Sequence, residues 1–307
     1  MFSHLNHHAT SRAACGIHAI LGDRRASSQL AGGIHTFHGD KPLIMGILNM
    51  TPDSFSDGGQ YTNIDAALRQ VDLMLSEGAD IIDIGGESTR PGSDSVDAAE
   101  QRQRVIPVIN AIRNQISKEA LISIDTTSSE VADAALAAGA NIINDISAGQ
   151  HDPAILSLAA ERSVPIVLMH KLGTPKTMQD SPYYEDVVRE IIDALTENIN
   201  IALNAGIKRE NIVIDPGIGF GKRKQDNLDL LAHLDVFTAM GFPVLLGTSR
   251  KRFMGSICTV TEPSDLVTAT AVTTALGVMA GVQLFRVHDV KENRQAADIA
   301  WAIRQSR

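Results

Sequence analysis

Eight short aliphatic runs punctuate the chain from Lys41 onward, and their spacing limits what it can fold into more than any other feature. They are LIMGIL from Leu43, DIIDIG from Asp80, LISID from Leu121, NIIND from Asn141, PIVLMH from Pro165, NIVID from Asn211, PVLLG from Pro243 and LFRVH from Leu284. Each is continuously apolar rather than alternating, which marks strands covered on both faces, as in parallel sheets. Longer amphipathic stretches separate them, such as NIDAALRQVDLMLSEGAD and EDVVREIIDALTENINIALNAGI. In EGAD, AGAN and AGIK, glycine stands just after a helical pattern, where a left-handed cap is wanted. Eight strand–helix units match a (β/α)8 barrel, which usually takes about 250 residues. The expected fold is therefore α/β: a single (β/α)8 TIM barrel over residues 41–307, behind a short, partly ordered N-terminal extension over residues 1–40. The alternative, an open doubly wound sheet, is disfavoured because no Gly-x-Gly-x-x-Gly follows the first run.

Composition narrows the function. The 307 residues are 44% hydrophobic and 21% charged, an ordinary globular mix able to bury a full core. The formal net charge of -9 makes the chain a poor general binder of nucleic acid or of an anionic membrane. Cys15 and Cys258 lie far apart, which argues against a disulfide scaffold or a thiolate metal site. Six of the ten histidines fall in the first forty residues, HLNHH among them, but no second-shell pattern accompanies them. The longest apolar stretch, ATAVTTALGVMAGV from Ala269, is too short for a bilayer and carries three threonines, so it reads as a buried helix. A soluble, cytoplasmic protein is expected.

In such a barrel the active site lies at the carboxyl ends of the strands. Those exits read Asn49, GGESTRPG (Gly85 to Gly92), Asp125, Asn144-Asp145, Met169-His170, Asp215, GTSRKR (Gly247 to Arg252), and Arg286 with His288. Each has a plain structural reading. Asp125 could cap a helix, Asn144-Asp145 and Asp215-Pro216-Gly217 could make turns, and Ser88 and Thr89 could cap one. His170 could be a satisfied core histidine, Glu87 structural, and Arg252 a solvated charge. Their common location points instead to a small-molecule mouth. Asp125 and Asp215 offer acceptors for a flat, donor-rich heterocycle. Arg90, Lys251, Arg286 and His288 suit a polyanion, focused onto one mouth of an acidic protein.

The blocks GILNMTPDSFSDGG, DIIDIGGESTRPGS, SIDTT, NIINDISA, MHKLGTPKTMQ, DPGIGFGK, GTSRKRFMG and FRVHDV resemble, in order and spacing, those of the dihydropteroate synthases. The resemblance runs from Leu43 to the C-terminus. It implies a transferase of folate biosynthesis that joins 6-hydroxymethyl-7,8-dihydropterin diphosphate to 4-aminobenzoate and releases pyrophosphate, with Mg2+ as cofactor and a homodimer as assembly. By the same resemblance, Asp125, Asn144 and Asp215 are pterin-edge ligands, Lys251 reaches the ring, and Ile146 and Met169 are apolar walls. Asn49 is the amide that helps hold Mg2+ and diphosphate, and Arg286 and His288, with Arg90, grip the pyrophosphate. Phe55, Thr89, Arg90, Pro91, Phe220 and Ser249 form two mobile loops and the floor around 4-aminobenzoate, which sulfonamides mimic in this family. The chain departs from the pattern at Lys171-Leu172 and at Arg252, neither of which is assigned to the chemistry. A methyltransferase sharing the pterin-binding barrel would lack GGESTRPG and the SRK exit. A catalytically silent pterin-binding paralogue would have lost Lys251, Arg286, His288 or the loop block.

Overall fold

The computed structural model describes residues 41–51, 60–88, 92–173, 177–178 and 180–307. Eight strands follow in order: β1 (Leu43–Asn49), β2 (Ile81–Gly85), β3 (Leu121–Asp125), β4 (Ile142–Asp145), β5 (Ile166–Met169), β6 (Ile212–Asp215), β7 (Leu245–Leu246) and β8 (Leu284–Val287). All pair in parallel, in the order β6-β5-β4-β3-β2-β1-β8-β7, and a parallel bridge between Ile214 and Val244 joins the two edge strands. Among the described residues the ring is thus nearly closed, which leaves little sheet edge to template another chain. The strands are those expected, although PVLLG pairs over only two residues plus that bridge.

Helices alternate with the strands: α1 (Gln60–Ser76), α2 (Ala98–Gln115), α3 (Ser129–Ala138), α4 (Ala154–Arg162), α5 (Val187–Asn204), α6 (Lys224–Ala232), α7 (Leu234–Thr238), α8 (Arg252–Cys258), α9 (Val267–Ala280) and α10 (Val290–Gln305). Local chemistry sets their ends. Asp97 accepts from Glu100 N and Asp186 from Arg189 N, satisfying orphan N–H groups at the starts of α2 and α5. Gly139 and Gly281 end α3 and α9 in the left-handed conformation. Both faces of the sheet are covered, which explains the unbroken apolar runs. Outward residues such as Ile44, Ile82, Ile124 and Phe285 pack under the helices.

The inward residues form a separate aliphatic cluster of Met45, Ile81, Ile142, Val167, Val213, Leu245 and Leu284, with Leu43 and Leu121 against it. Successive strand residues face opposite ways, so positions two further along point inward again, one step nearer the carboxyl rim. Those positions are Ile47, Asp83, Ser123, Asn144, Met169, Asp215, Gly247 and Arg286, with Asn49 and Asp125 a step higher still. The barrel is thus plugged by aliphatics below and lined by polar groups above. Among the described residues, no helix is long and apolar enough to cross a membrane.

Candidate active site

The polar lining is knit around one guanidinium. Arg286 donates through Nε to Asp83 Oδ2 and through a terminal nitrogen to Asp125 Oδ2, each at 2.6 Å. Asn144 Nδ2 donates to the same Asp83 oxygen at 3.2 Å. Burial opposes the Arg286 charge, but the two carboxylates outweigh it and raise its pKa further. Burial pushes the Asp125 carboxyl up to about 7, against the pull of Arg286 and with help from Asp83, Glu87 and Asp145. Helix α3 is capped by Ser128, so Asp125 does not cap it.

A second cluster forms where β6, the turn after it and the β7 exit meet. Asp215 Oδ1 accepts from Gly217 N at 2.7 Å. Burial pushes its carboxyl up to about 6, while the Gly217 hydrogen bond, Lys251, Lys222 and Arg286 pull the other way. Lys251 stands at the N-terminal boundary of α8, makes no capping bond, and sets its ammonium 4.1 Å from the Phe220 ring centre, within cation–π range. Burial, and then Arg286, push that ammonium down to about 8. Gly217 has φ +69°, and a Cβ there would lie 1.8 Å from His170 O, so only glycine fits the turn.

Of the expected site residues, Asn49 stands half-buried at the end of β1, and Met169 and Ile146 are buried beside the lining. Ser249 Oγ lies 3.0 Å from His288 Nδ1 and accepts from His288 N at 3.1 Å. Phe55, Thr89, Arg90 and Pro91 lie outside the described residues. Arg286 spends its Nε on Asp83 and one terminal nitrogen on Asp125. Glu87 accepts from Val96 N and Gln101 Nε2, which matches its structural reading, and Asp145 caps the turn after β4 through Ser147 and Gly149. Arg252 opens α8 at the surface.

Two residues that sequence reasoning missed belong to the lining. Asp83 is fully buried in the middle of β2. Lys222 is buried too, its ammonium 3.1 Å from His170 Nδ1 and 3.1 Å from Phe220 O. Burial lowers Lys222 to about 7, and burial with Lys222 lowers His170 to about 3, so the imidazole stays neutral and accepts from the ammonium. His170 is therefore a satisfied histidine, tied to the turn that carries Phe220.

The raised carboxyls make stability depend on pH. In the unfolded chain an aspartate titrates near about 3.9. Folded, Asp215 and Asp125 hold their protons to about 6 and about 7. Between these values the folded state binds more protons, so this contribution to stability falls as pH rises from about 4 to 7. Asp215→Asn keeps the acceptor for Gly217 N and removes the titration. The variant's melting temperature, compared with wild type from pH 4 to 8, is expected to gain as pH rises from about 4 to 6 and to hold that gain above it. A constant difference across that range would contradict the assignment.

A family profile described as "Pterin binding enzyme" matches residues 45–288. A dihydropteroate synthase of Bacillus subtilis is 47% identical over 253 residues, covering 82% of this chain and 85% of that protein. Two solved structures from Xanthomonas albilineans superpose well. A dihydropteroate synthase with 4-aminobenzoic acid has a TM-score of 0.80 at 44% identity, covering 86% of this chain and 93% of that one. The dihydropteroate synthase in complex with 7,8-dihydropteroate has a TM-score of 0.77 at 42% identity, covering 86% and 94%. The chain belongs to the pterin binding enzymes and, within them, to the dihydropteroate synthase family.

Proposed function

We propose that the protein condenses 6-hydroxymethyl-7,8-dihydropterin diphosphate with 4-aminobenzoate, giving 7,8-dihydropteroate and pyrophosphate. The observation that carries this reading is one mouth holding desolvated acceptors, Asp125 and Asp215, beside desolvated cations, Lys251 and Arg286. Acceptors suit the N–H edge of a pterin, and cations suit its diphosphate. The complexes of the two Xanthomonas relatives with 4-aminobenzoic acid and 7,8-dihydropteroate support the same assignment.

In this reading Asp125, Asn144 and Asp215 orient the ring, with Met169 and Ile146 as apolar walls and Lys251 at its rim. The C–O bond to the diphosphate breaks with its electron pair leaving on oxygen, and the pterin delocalises the resulting cation. The aniline nitrogen of 4-aminobenzoate, neutral at pH 7, forms the new C–N bond with its lone pair. Its surplus proton passes to the departing diphosphate, so no strong side-chain base is required. Arg286 and His288 stabilise the leaving anion. Phe220 and Ser249 floor the second substrate, and water must be kept from the cation.

Among the described residues no three His, Cys, Asp or Glu side chains gather as a metal cage. Mg2+ keeps several waters and takes only one or two protein oxygens beside substrate phosphates. Asn49, half-buried at the β1 exit, would supply that oxygen. When bound, the ion neutralises charge on the departing diphosphate.

An assay of pyrophosphate release with both substrates and Mg2+ tests the reading directly. Turnover that requires both the pterin diphosphate and 4-aminobenzoate is the expected result, and no release with either omitted. A chain lacking residues 1–40 is expected to retain most of that activity. Absence of turnover in folded wild type would overturn the proposal.

Assembly follows from α9 and α10. Val272, Leu276, Ile299 and Ile303 on these helices are each more than half exposed, and the last three line a groove between the helices of about 620 Å³. Such an apolar face supports a homodimer. Sedimentation at twice the chain mass is expected, and a monomer at micromolar concentration would remove it.

A further inference from the structure

Two buried aspartates in the barrel wall are held in different ways. Asp145 Oδ1 accepts from Ser147 N at 2.8 Å and Ser147 Oγ at 2.7 Å, and its Oδ2 from Gly149 N at 2.6 Å. It is a turn-former. Among the described residues, Asp83 hydrogen-bonds side chains alone: Arg286 Nε at 2.6 Å and Asn144 Nδ2 at 3.2 Å, both on Oδ2. A fully buried carboxylate is costly unless its partners are good. Asp83 supports no backbone turn, so its place in the wall is explained by the two side chains it holds.

The other edge of the same guanidinium lies 2.6 Å from Asp125 Oδ2. Two carboxyl groups thus share one guanidinium. Asp83 sits lower in the barrel and is fully buried, whereas Asp125 stands at the rim, where a ligand edge can reach it. N–H donors arriving at Asp125 satisfy it without the guanidinium. The freed edge of Arg286 is then a desolvated donor pair in need of an anion.

We propose that Asp83 is a positioning residue that keeps the Nε edge of Arg286 throughout, while Asp125 holds the outer edge only until the pterin ring displaces it, releasing that edge to the diphosphate. This rests on the reading given under Proposed function. The pterin end of one substrate breaks the ion pair, and the diphosphate end of the same molecule supplies its replacement. A pterin without the diphosphate would break the pair and supply nothing.

Calorimetric titrations at constant Mg2+ test this. Inorganic pyrophosphate alone must compete with Asp125 for Arg286. Asp125→Asn is therefore expected to bind pyrophosphate about tenfold more tightly than wild type. Asp215→Asn removes an equal charge from the same mouth without touching Arg286, and is expected to gain much less. Equal gains in the two variants would mean that bulk charge alone is at work and would overturn the exchange. In a second arm, Asp83→Asn is expected to lose about tenfold more affinity for the pterin diphosphate than for the same dihydropterin alcohol lacking it. Equal losses on both ligands would reduce Asp83 to a structural part. Should Asp83→Asn fail to fold, the comparison of Asp125→Asn with Asp215→Asn decides alone. That comparison uses only pyrophosphate, so its failure is distinguishable from absent turnover in wild type, which would sink the functional reading instead.

Discussion

Lys251→Ala is expected to lower kcat/KM by about a thousandfold in the pyrophosphate-release assay, with the fold intact. The side chain leaves α8 at its N-terminal boundary and sets its ammonium 4.1 Å from the Phe220 ring centre. Burial and Arg286 push its pKa down to about 8, yet at pH 7 most of it is still protonated. A desolvated cation of this kind acts at low effective dielectric, where removing one preorganised electrostatic group costs about 3–4 kcal/mol in the transition state. Each 1.36 kcal/mol is about tenfold in rate, which sets the predicted size. Lys251→Arg is expected to rescue little, because a planar fork does not replace a compact point charge stacked on a ring. A far-ultraviolet spectrum and melting curve like those of wild type would show that the loss is chemical. Turnover within tenfold of wild type in Lys251→Ala would remove it from the site.

Asp215→Asn is expected to be the next most damaging change, at about a hundred- to a thousandfold in kcat/KM. In the proposed reading its carboxylate receives N–H donors from the pterin edge. Hydrogen bonds to a charged acceptor contribute about 1.5–3 kcal/mol each, and the amide would also set its own N–H against a ligand donor. The same substitution is expected to make the free protein more stable at neutral pH, as argued from its raised pKa. Activity and stability would therefore move in opposite directions in one variant, as is common where a site holds a costly buried charge. Kinetics and melting curves on one preparation check both halves. A variant that kept wild-type kcat/KM, or that became less stable at pH 7.5, would show that Asp215 is not the desolvated acceptor described.

Much of this was legible in the residues. The strand runs could be read because both faces of the sheet are covered, so apolar residues run without a break. Once the barrel was inferred, the rule that sites lie at strand exits placed Asn49, Asp125, Asp215, Lys251 and Arg286 at one rim. Asp83 escaped because it sits inside a run rather than at its exit. The available signal was a charge within a doubly covered strand, two residues before Gly85 and therefore on the same face as the exit. Its partner lies 203 residues away, on β8, and no local pattern links them. Lys222 escaped for a related reason: GFGK reads as a turn, and only the fold brings its ammonium to His170. The ambiguity between helix cap and site group at Asp125, and between turn and site group at Asn144 and Asp145, needed side-chain partners to resolve. Asp125 pairs with Arg286 while Ser128 caps the helix, Asp145 holds the turn, and Asn144 bonds Asp83.

The aliphatic cluster of Met45, Ile81, Ile142, Val167, Val213, Leu245 and Leu284 makes the barrel a blind cup. Among the described residues that plug fills the lower end of the barrel, so whatever meets Arg286 or Asp215 comes from the carboxyl rim. A guest seated there has protein beneath it and solvent only above.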